Sequence, residues 1–221
     1  MGGDSELDRL DLGDDSESNF SESFLKLLLE TLNEVQPLIP EDIFHYIYAV
    51  FHSPGYRTRY AEFLKIDFPR VPLTGRLELF RSLAALGGEL TALHLLEAET
   101  LQTPRSKFIG KNREVSKVGW TAEDGGTVWI DGKGTKGNYQ PGSSGFGPVS
   151  EEIWNFHIGG YQVCHKWLKD RKGRTLTEED ISHYHKIVIA LTETIRLMSK
   201  IDEVIETHGG WPGAFSSNET K

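Results

Sequence analysis

From Ile181 to Ile201 the apolar residues Ile181, Tyr184, Ile187, Val188, Leu191, Ile195, Met198 and Ile201 return at helical spacing for about six turns. A stripe of that length demands one long helix with a single apolar side, and other elements have to cover that side. Thr177, followed three residues later by Asp180, gives the helix a capping-box-like start, and the pattern carries it to about Glu206. The chain before it has a different character. Residues 105–149 contain ten glycines, and their apolar residues come in short bursts at Lys107–Ile109, Val115–Trp120 and Thr127–Ile130. Asp124-Gly125-Gly126 between the last two bursts is a hairpin signal. Gly132 to Gly147 reads as a glycine-rich loop, of the kind that lets backbone approach a ligand closely.

Helical signals also precede this insert. An amphipathic helix is predicted over Phe20–Val35, ending before Pro37. Pro40-Glu41-Asp42 opens a second helix that runs to about Phe51, with proline at the start and acids in the first turn. Ser53-Pro54-Gly55 stops it, and a third helix follows over Tyr56–Leu64. Phe68 to Pro72 must be extended, because each proline pushes its predecessor out of the α region. A fourth helix fits Arg76–Thr100, with a possible break at Gly87-Gly88. Tyr161–Asp170 is a short helix between the insert and the long one. The fold class is therefore α+β: a helical bundle with a small antiparallel β insert and a long C-terminal helix. Residues 1–18 read as a disordered acidic leader. Residues 19–215 form one domain, helical over 19–103, β over 104–150 with the glycine-rich loop, and helical again over 151–208.

The net charge of -9 argues against a polyanion partner only until its distribution is considered. Seven acids and one base, Arg9, fall within residues 1–18, which leaves the other 203 residues at -3. His52 to Arg76 carries five bases against two acids, and Lys166 to Arg174 carries five against one. Basic stripes on a near-neutral body suit a phosphate backbone, and they are equally what ordinary solvated surface charge looks like. A lone cysteine, Cys164, excludes an internal disulfide and reads as a small core residue. No apolar run reaches the roughly 20 residues that span a bilayer, and the N-terminus lacks a secretion signal. These features point to a cytoplasmic protein.

Catalytic motifs are missing. The glycine run lacks the order of a Walker A loop, Gly145-Phe146-Gly147 does not continue into a dinucleotide fingerprint, and Gly142-Ser143-Ser144-Gly145 is one residue short of a nucleophile elbow. His183 and His185 fall on different faces of a helix, and no His pair stands at zinc spacing, so no metal and no cofactor is expected. Trp120, Trp129, Trp154 and Trp167 are expected to fill the core where sheet meets helix. The glycine-rich loop is the strongest candidate for ligand contact. Lys133 and Lys136 can reach phosphates, and Asn138 and Gln140, flanking Tyr139, have the bidentate amides that pair with adenine in the major groove. Lys111 and Arg113, just before a strand, suit guanine or phosphate. Arg57, Arg59, Arg70, Arg171 and Lys172 are the phosphate candidates of the two basic stretches.

Two long phrases, His45 to Pro72 (HYIYAVFHSPGYRTRYAEFLKIDFPRVP) and Phe156 to Arg174 (FHIGGYQVCHKWLKDRKGR) with its helical continuation over Leu176–Ile201, resemble the C-terminal specificity domain of type ISP single-polypeptide restriction–modification enzymes. The resemblance spans about residues 36–205. It implies a target-recognition domain that reads a short asymmetric duplex sequence and presents an adenine to a methyltransferase for flipping. It also implies partnership with the methyltransferase and translocase domains of the same system. The Asn-Pro-Pro-Tyr methylation motif, a glycine motif for S-adenosylmethionine and the ATPase motifs are not in this chain, so it is expected to be non-catalytic alone, either as an excised piece or as the product of a split or degenerate gene. A domain that reads different sequences in different relatives should vary where it touches bases, so Tyr46–Pro72 and Gly159–Arg174 are expected to serve as scaffold, interdomain or phosphate contact, and base reading is expected at about 105–147. An alternative is a protein-interaction module that docks on a separate methyltransferase or motor subunit through the helical faces near Tyr46–Phe63.

Overall fold

The computed structural model describes residues 19–135 and 137–215. The acidic leader expected over 1–18 and Lys136 lie outside the described residues. In chain order the α-helices are α1 (Glu22–Leu32), α2 (Pro40–His52), α3 (Pro54–Arg59), α4 (Leu77–His94), α5 (Glu151–Trp154), α6 (Val163–Lys169), α7 (Glu178–Thr207) and the short α8 (Gly210–Gly213). The strands are β1 (Lys107–Ile109), β2 (Gly119–Thr121), β3 (Thr127–Trp129), β4 (Lys133–Thr135), β5 (Asn138–Gln140), β6 (Gly145–Gly147), β7 (His157–Ile158) and β8 (Tyr161–Gln162). This is the α+β architecture expected, with small antiparallel sheets between helices and a long helix near the C-terminus. The chain divides into two compact units. One holds the residues up to Ala92 together with those from Arg196, and the other holds Leu93–Ile195, so α7 contributes residues to both.

The first unit is helical. Ser21 caps α1 by accepting from the Phe24 amide, and Asn33 closes it in the left-handed conformation. Pro40 opens α2 with Glu41 and Asp42 in its first turn. The core is built from Leu28, Ile43, Tyr46, Val50, Phe80, Leu83 and Leu90, with Leu197, Ile201 and Ile205 from α7. Tyr46 stacks on Phe80 with ring centroids 4.9 Å apart and donates its hydroxyl proton to the Pro72 carbonyl at 2.6 Å. The Ser53-Pro54-Gly55 stop is fastened to α7: Ser53 Oγ donates to Asp202 Oδ1 at 2.5 Å, and the Gly55 amide to Oδ2 at 2.9 Å. The third helix is shorter than its sequence pattern and gives way to a 3-10 turn at Phe63–Lys65. α4 runs unbroken through Gly87-Gly88. A Cβ on Gly87 would lie 1.9 Å from the His45 carbonyl oxygen, so this glycine admits the close approach of α2 rather than breaking the helix. Tertiary contact outweighs its cost of about 1 kcal/mol in helix propensity.

The second unit is a four-stranded antiparallel sheet in the order β1-β6-β3-β2, packed on helices. Phe108, Phe146, Val128 and Trp120 from its four strands meet Ile153, Cys164, Leu168, Leu176 and the α7 residues Ile181, Tyr184, Val188 and Leu191. Phe146 lies at the centre, 4.3 Å from the Tyr184 ring and 5.1 Å from Phe108. Cys164 is fully buried, as a core residue should be, and burial pushes its thiol pKa up to about 12. Thr177 and Asp180 form a reciprocal capping box at the start of α7, the Asp180 amide donating to Thr177 Oγ1 and the Thr177 amide to Asp180 Oδ2, each at 3.1 Å.

The reading of Gly132–Gly147 as a loop is corrected. Its first part is the β4–β5 hairpin, and its end is β6, a buried interior strand of the sheet. A Cβ on Gly145 would lie 2.3 Å from the Val128 carbonyl oxygen. Glycine is required there because neighbouring backbone packs against it. The sequence pattern had also not indicated α5 or the β7–β8 hairpin.

Candidate nucleic-acid interface

The β4–β5 hairpin has two chemically distinct faces. Its register pairs Lys133 with Gln140, Gly134 with Tyr139 and Thr135 with Asn138. Because side chains alternate along a strand, Lys133, Thr135, Asn138 and Gln140 share one face, and all four are exposed. Tyr139 turns the other way. Its ring fills the space that Cβ atoms on Gly119 and Gly132 would occupy, at 2.3 and 1.9 Å from its atoms. Burial, with the Asp131 carboxylate beside it, raises its hydroxyl pKa to about 12. Tyr139 therefore anchors the hairpin, while the amides flanking it stand in solvent, with Gln140 Nε2 donating to Asn138 Oδ1 at 3.1 Å.

Asp131 ties the foot of this hairpin to its surroundings. It accepts from the Ser143 amide at 2.9 Å, Ser143 Oγ at 2.6 Å, the Ser144 amide at 3.0 Å and Asn112 Nδ2 at 3.2 Å. Partial burial by itself would raise its pKa, but the hydrogen bonds from Ser143, Ser144 and Asn112 together hold it below the usual carboxylate value. Lys117 Nζ also reaches across to the Gly134 carbonyl.

Asn112 is flanked by the candidates Lys111 and Arg113, so the same carboxylate brings the 111–113 segment to the hairpin. That segment continues alongside the basic stretch after α6. Leu176 N donates to Arg113 O at 2.9 Å, Val115 N to Arg174 O at 2.9 Å, and Gly173 N to Val115 O at 2.7 Å. Side-chain and backbone hydrogen bonds thus join three segments, and they carry Lys111, Arg113, Lys133, Asn138, Gln140 and Lys172.

Not every cation in that set faces solvent. Arg113 is half-buried and pairs with Glu178 at 2.6 Å. Arg171 lies 3.4 Å above the Trp167 ring, donates from Nε to Asp180 Oδ1 at 3.1 Å and from Nη1 to the Trp167 carbonyl at 3.1 Å. Its guanidinium joins α6 to the cap of α7. Lys169, Lys172 and Arg174 are the exposed cations of that stretch, and charge counting alone does not separate them from Arg171. Trp120, Trp154 and Trp167 pack against the core as expected, whereas Trp129 bonds from Nε1 to Thr121 Oγ1 at 2.9 Å on the opposite sheet face. Ile109, Thr127, Trp129 and Gly147 on that face line an open groove with Lys107 and Asp124.

The remaining candidates lie in the first unit. Arg57 is fixed by donating from Nε to the Phe51 carbonyl at 2.7 Å. Arg59 is exposed, with its guanidinium carbon 6.0 Å from the Tyr60 ring. Arg70 sits over Phe63 at 5.1 Å and pairs with Asp67 at 3.5 Å. Among the described residues no three His, Cys, Asp or Glu side chains cluster as metal ligands, and no helix is long and apolar enough to cross a membrane.

An α+β fold with a hydrogen-bonded, basic-edged β insert is the class that these observations define. The family model of the Type ISP C-terminal specificity domain matches residues 4–200, and the chain belongs to that family. Three solved structures share the fold. They are a DrdV–DNA complex determined by electron cryomicroscopy (TM-score 0.62, 22% identity, 82% of this chain covered), the ATP-dependent Type ISP restriction-modification enzyme LlaBIII bound to DNA (0.57, 20%, 88%), and a nuclease-deletion mutant of the Type ISP restriction-modification enzyme LlaGI in complex with a DNA substrate mimic (0.52, 19%, 75%). The matched region covers 20%, 13% and 14% of those chains respectively. No curated protein matches the chain.

Proposed function

We propose that this chain is the DNA target-recognition module of a Type ISP restriction–modification system, non-catalytic by itself, and that it works with methyltransferase and translocase domains. The observation that carries the reading is the polar face of the β4–β5 hairpin. Lys133, Asn138 and Gln140 are exposed together on a strand pair held from behind by Tyr139 and Asp131. A rigid ribbon presenting amides and a cation has the donor and acceptor set that reads base edges in the major groove. Lys111, Lys172 and Arg174 are the phosphate contacts that orient it, and Arg59 serves the same purpose in the first unit.

Selection from a randomised duplex pool at about 50 and 200 mM salt tests the reading. The expected result is enrichment of one short asymmetric motif. Asn138→Ala with Gln140→Ala then costs about 1–3 kcal/mol on that motif and nothing on other sequences. Lys172→Ala weakens all sequences alike and lowers the salt slope by about 1. An unchanged preference in the Asn138/Gln140 variant would remove those residues from the readout.

A second reading, docking on a catalytic subunit, has its own observation. Ile66 and Phe68 are 85% and 87% exposed in the loop after α3. The same unit also exposes Val35, Ile39 and Phe44, so it leaves more apolar surface open to a protein partner than one pair of side chains. If Ile66→Ser with Phe68→Ser leaves DNA affinity intact but abolishes association with the methyltransferase domain, the two functions occupy different units.

A further inference from the structure

Part of the stretch from Phe156 to Leu168 is internal. Phe156, Val163 and Trp167 pack against the core of the second unit, and Cys164 and Leu168 are fully buried within it. Two apolar residues of the same stretch depart from this, Ile158 at 58% and Tyr161 at 63% exposure. They are directly paired across the β7–β8 hairpin, so they stand on one face at its tip. Gly159-Gly160 makes the turn. Gly159 has φ 58°, the left-handed value that a two-residue hairpin turn needs, and a Cβ on either glycine would touch nothing. The hairpin is firmly seated. Gln162 Nε2 donates to the Trp154 carbonyl at 2.6 Å, Val163 N to the Phe156 carbonyl at 3.2 Å, and His157 Nδ1 bonds the Asn155 carbonyl at 2.5 Å.

We propose that Ile158 and Tyr161 form an apolar wedge that enters the base stack of duplex DNA. The proposal rests on the recognition reading above and names a further contact for the same module. Three features favour a nucleic acid over a protein as the occupant. Lys166 Nζ lies 5.7 Å from the Tyr161 ring, and the tip leads straight into the stretch containing the exposed Lys169, Lys172 and Arg174, so a polyanion is the complementary partner. Two side chains on a two-residue ladder present far less than the roughly 1,000 Å² that a specific protein interface needs, yet they match a single base step. An aliphatic side chain that parts a step, beside an aromatic ring that stacks on the exposed base, is a pairing suited to kinking or opening a duplex.

A wedge has to separate stacked bases, so a duplex already opened at one step should bind more tightly. The test compares two labelled duplexes of the same sequence, one intact and one with a single central abasic site, by fluorescence anisotropy at fixed salt. The wild-type chain is expected to prefer the abasic duplex by about tenfold, equivalent to about 1.4 kcal/mol. Ile158→Ala with Tyr161→Ala should abolish the preference while keeping the salt slope, which phosphate contacts set, and Tyr161→Phe should retain the preference. Equal binding of both duplexes by wild type, or a preference that survives the double alanine variant, overturns the wedge and leaves recognition standing. Binding of neither duplex overturns the wedge and the recognition reading together.

Discussion

The two hairpins of the second unit solve opposite problems. β4–β5 hides an aromatic ring and shows polar groups: Tyr139 faces Gly119 and Gly132, while Lys133, Asn138 and Gln140 face solvent. β7–β8 hides a polar group and shows apolar ones: Gln162 bonds the Trp154 carbonyl, while Ile158 and Tyr161 face solvent. Packing of Tyr139 and the Asp131 carboxylate at its foot therefore anchor the first hairpin, and hydrogen bonds to backbone anchor the second. The exposed chemistry differs in the same way, with hydrogen-bonding groups on the first and apolar surface on the second. One fold in this way presents two kinds of exposed chemistry from hydrogen-bonded supports.

The contrast predicts unequal responses to removing the same kind of side chain. Tyr139→Ala empties the space under two glycines and should destabilise the second unit by about 2–3 kcal/mol, below the full cost of a completely buried aromatic because Tyr139 is half-buried. Tyr161→Ala removes an exposed ring and should stay within about 0.5 kcal/mol of wild type. Urea unfolding followed by tryptophan fluorescence separates the two. Similar losses at both positions would mean that Tyr139 is not the anchor.

The sequence made some of this architecture legible and left other parts hidden, for reasons specific to the residues. The long stripe Ile181–Ile201 and the Thr177/Asp180 box announce α7, because periodicity and capping are local signals. Lys107–Ile109 and the Asp124-Gly125-Gly126 turn likewise announce β1 and the β2–β3 pair. Glycine was the main source of error. Gly87 and Gly145 look the same in sequence as turn glycines, but both exist to admit another backbone, at His45 and Val128. Close approach is a tertiary fact that a one-dimensional pattern does not contain. Arg171 shows the same limit for charge. It belongs to a basic run with Lys172, yet its guanidinium is held by Trp167 and Asp180. Ile158 and Tyr161 could have been noticed, since an apolar pair around Gly159-Gly160 is a hairpin signal, but their exposure could not.

The second hairpin's anchor gives a smaller expected effect. Gln162→Ala removes a side-chain bond to the Trp154 carbonyl and should cost about 1 kcal/mol. The loss should be read locally, as faster amide exchange at Val163, whose own bond to Phe156 closes the same hairpin. Unchanged exchange at Val163 would place the anchoring elsewhere.

The smallest effect is a difference in acid response. Asp131 has a folded-state pKa below its unfolded value, held there by Ser143, Ser144 and Asn112. Its contribution is therefore fully present above the ordinary Asp pKa of about 3.9 and is lost as pH falls through the lower folded value. Residues 157–162 contain no carboxylate, so β7–β8 has no matching acid-sensitive anchor. Amide resonances of Ser143 and Ser144 should accordingly shift below about pH 4 while those of Ile158 and Tyr161 hold still. In Asp131→Asn the Ser143 and Ser144 resonances should lose that titration. If both hairpins moved together, acid would be acting on the whole unit, and the separate anchoring of the two hairpins would have to be given up.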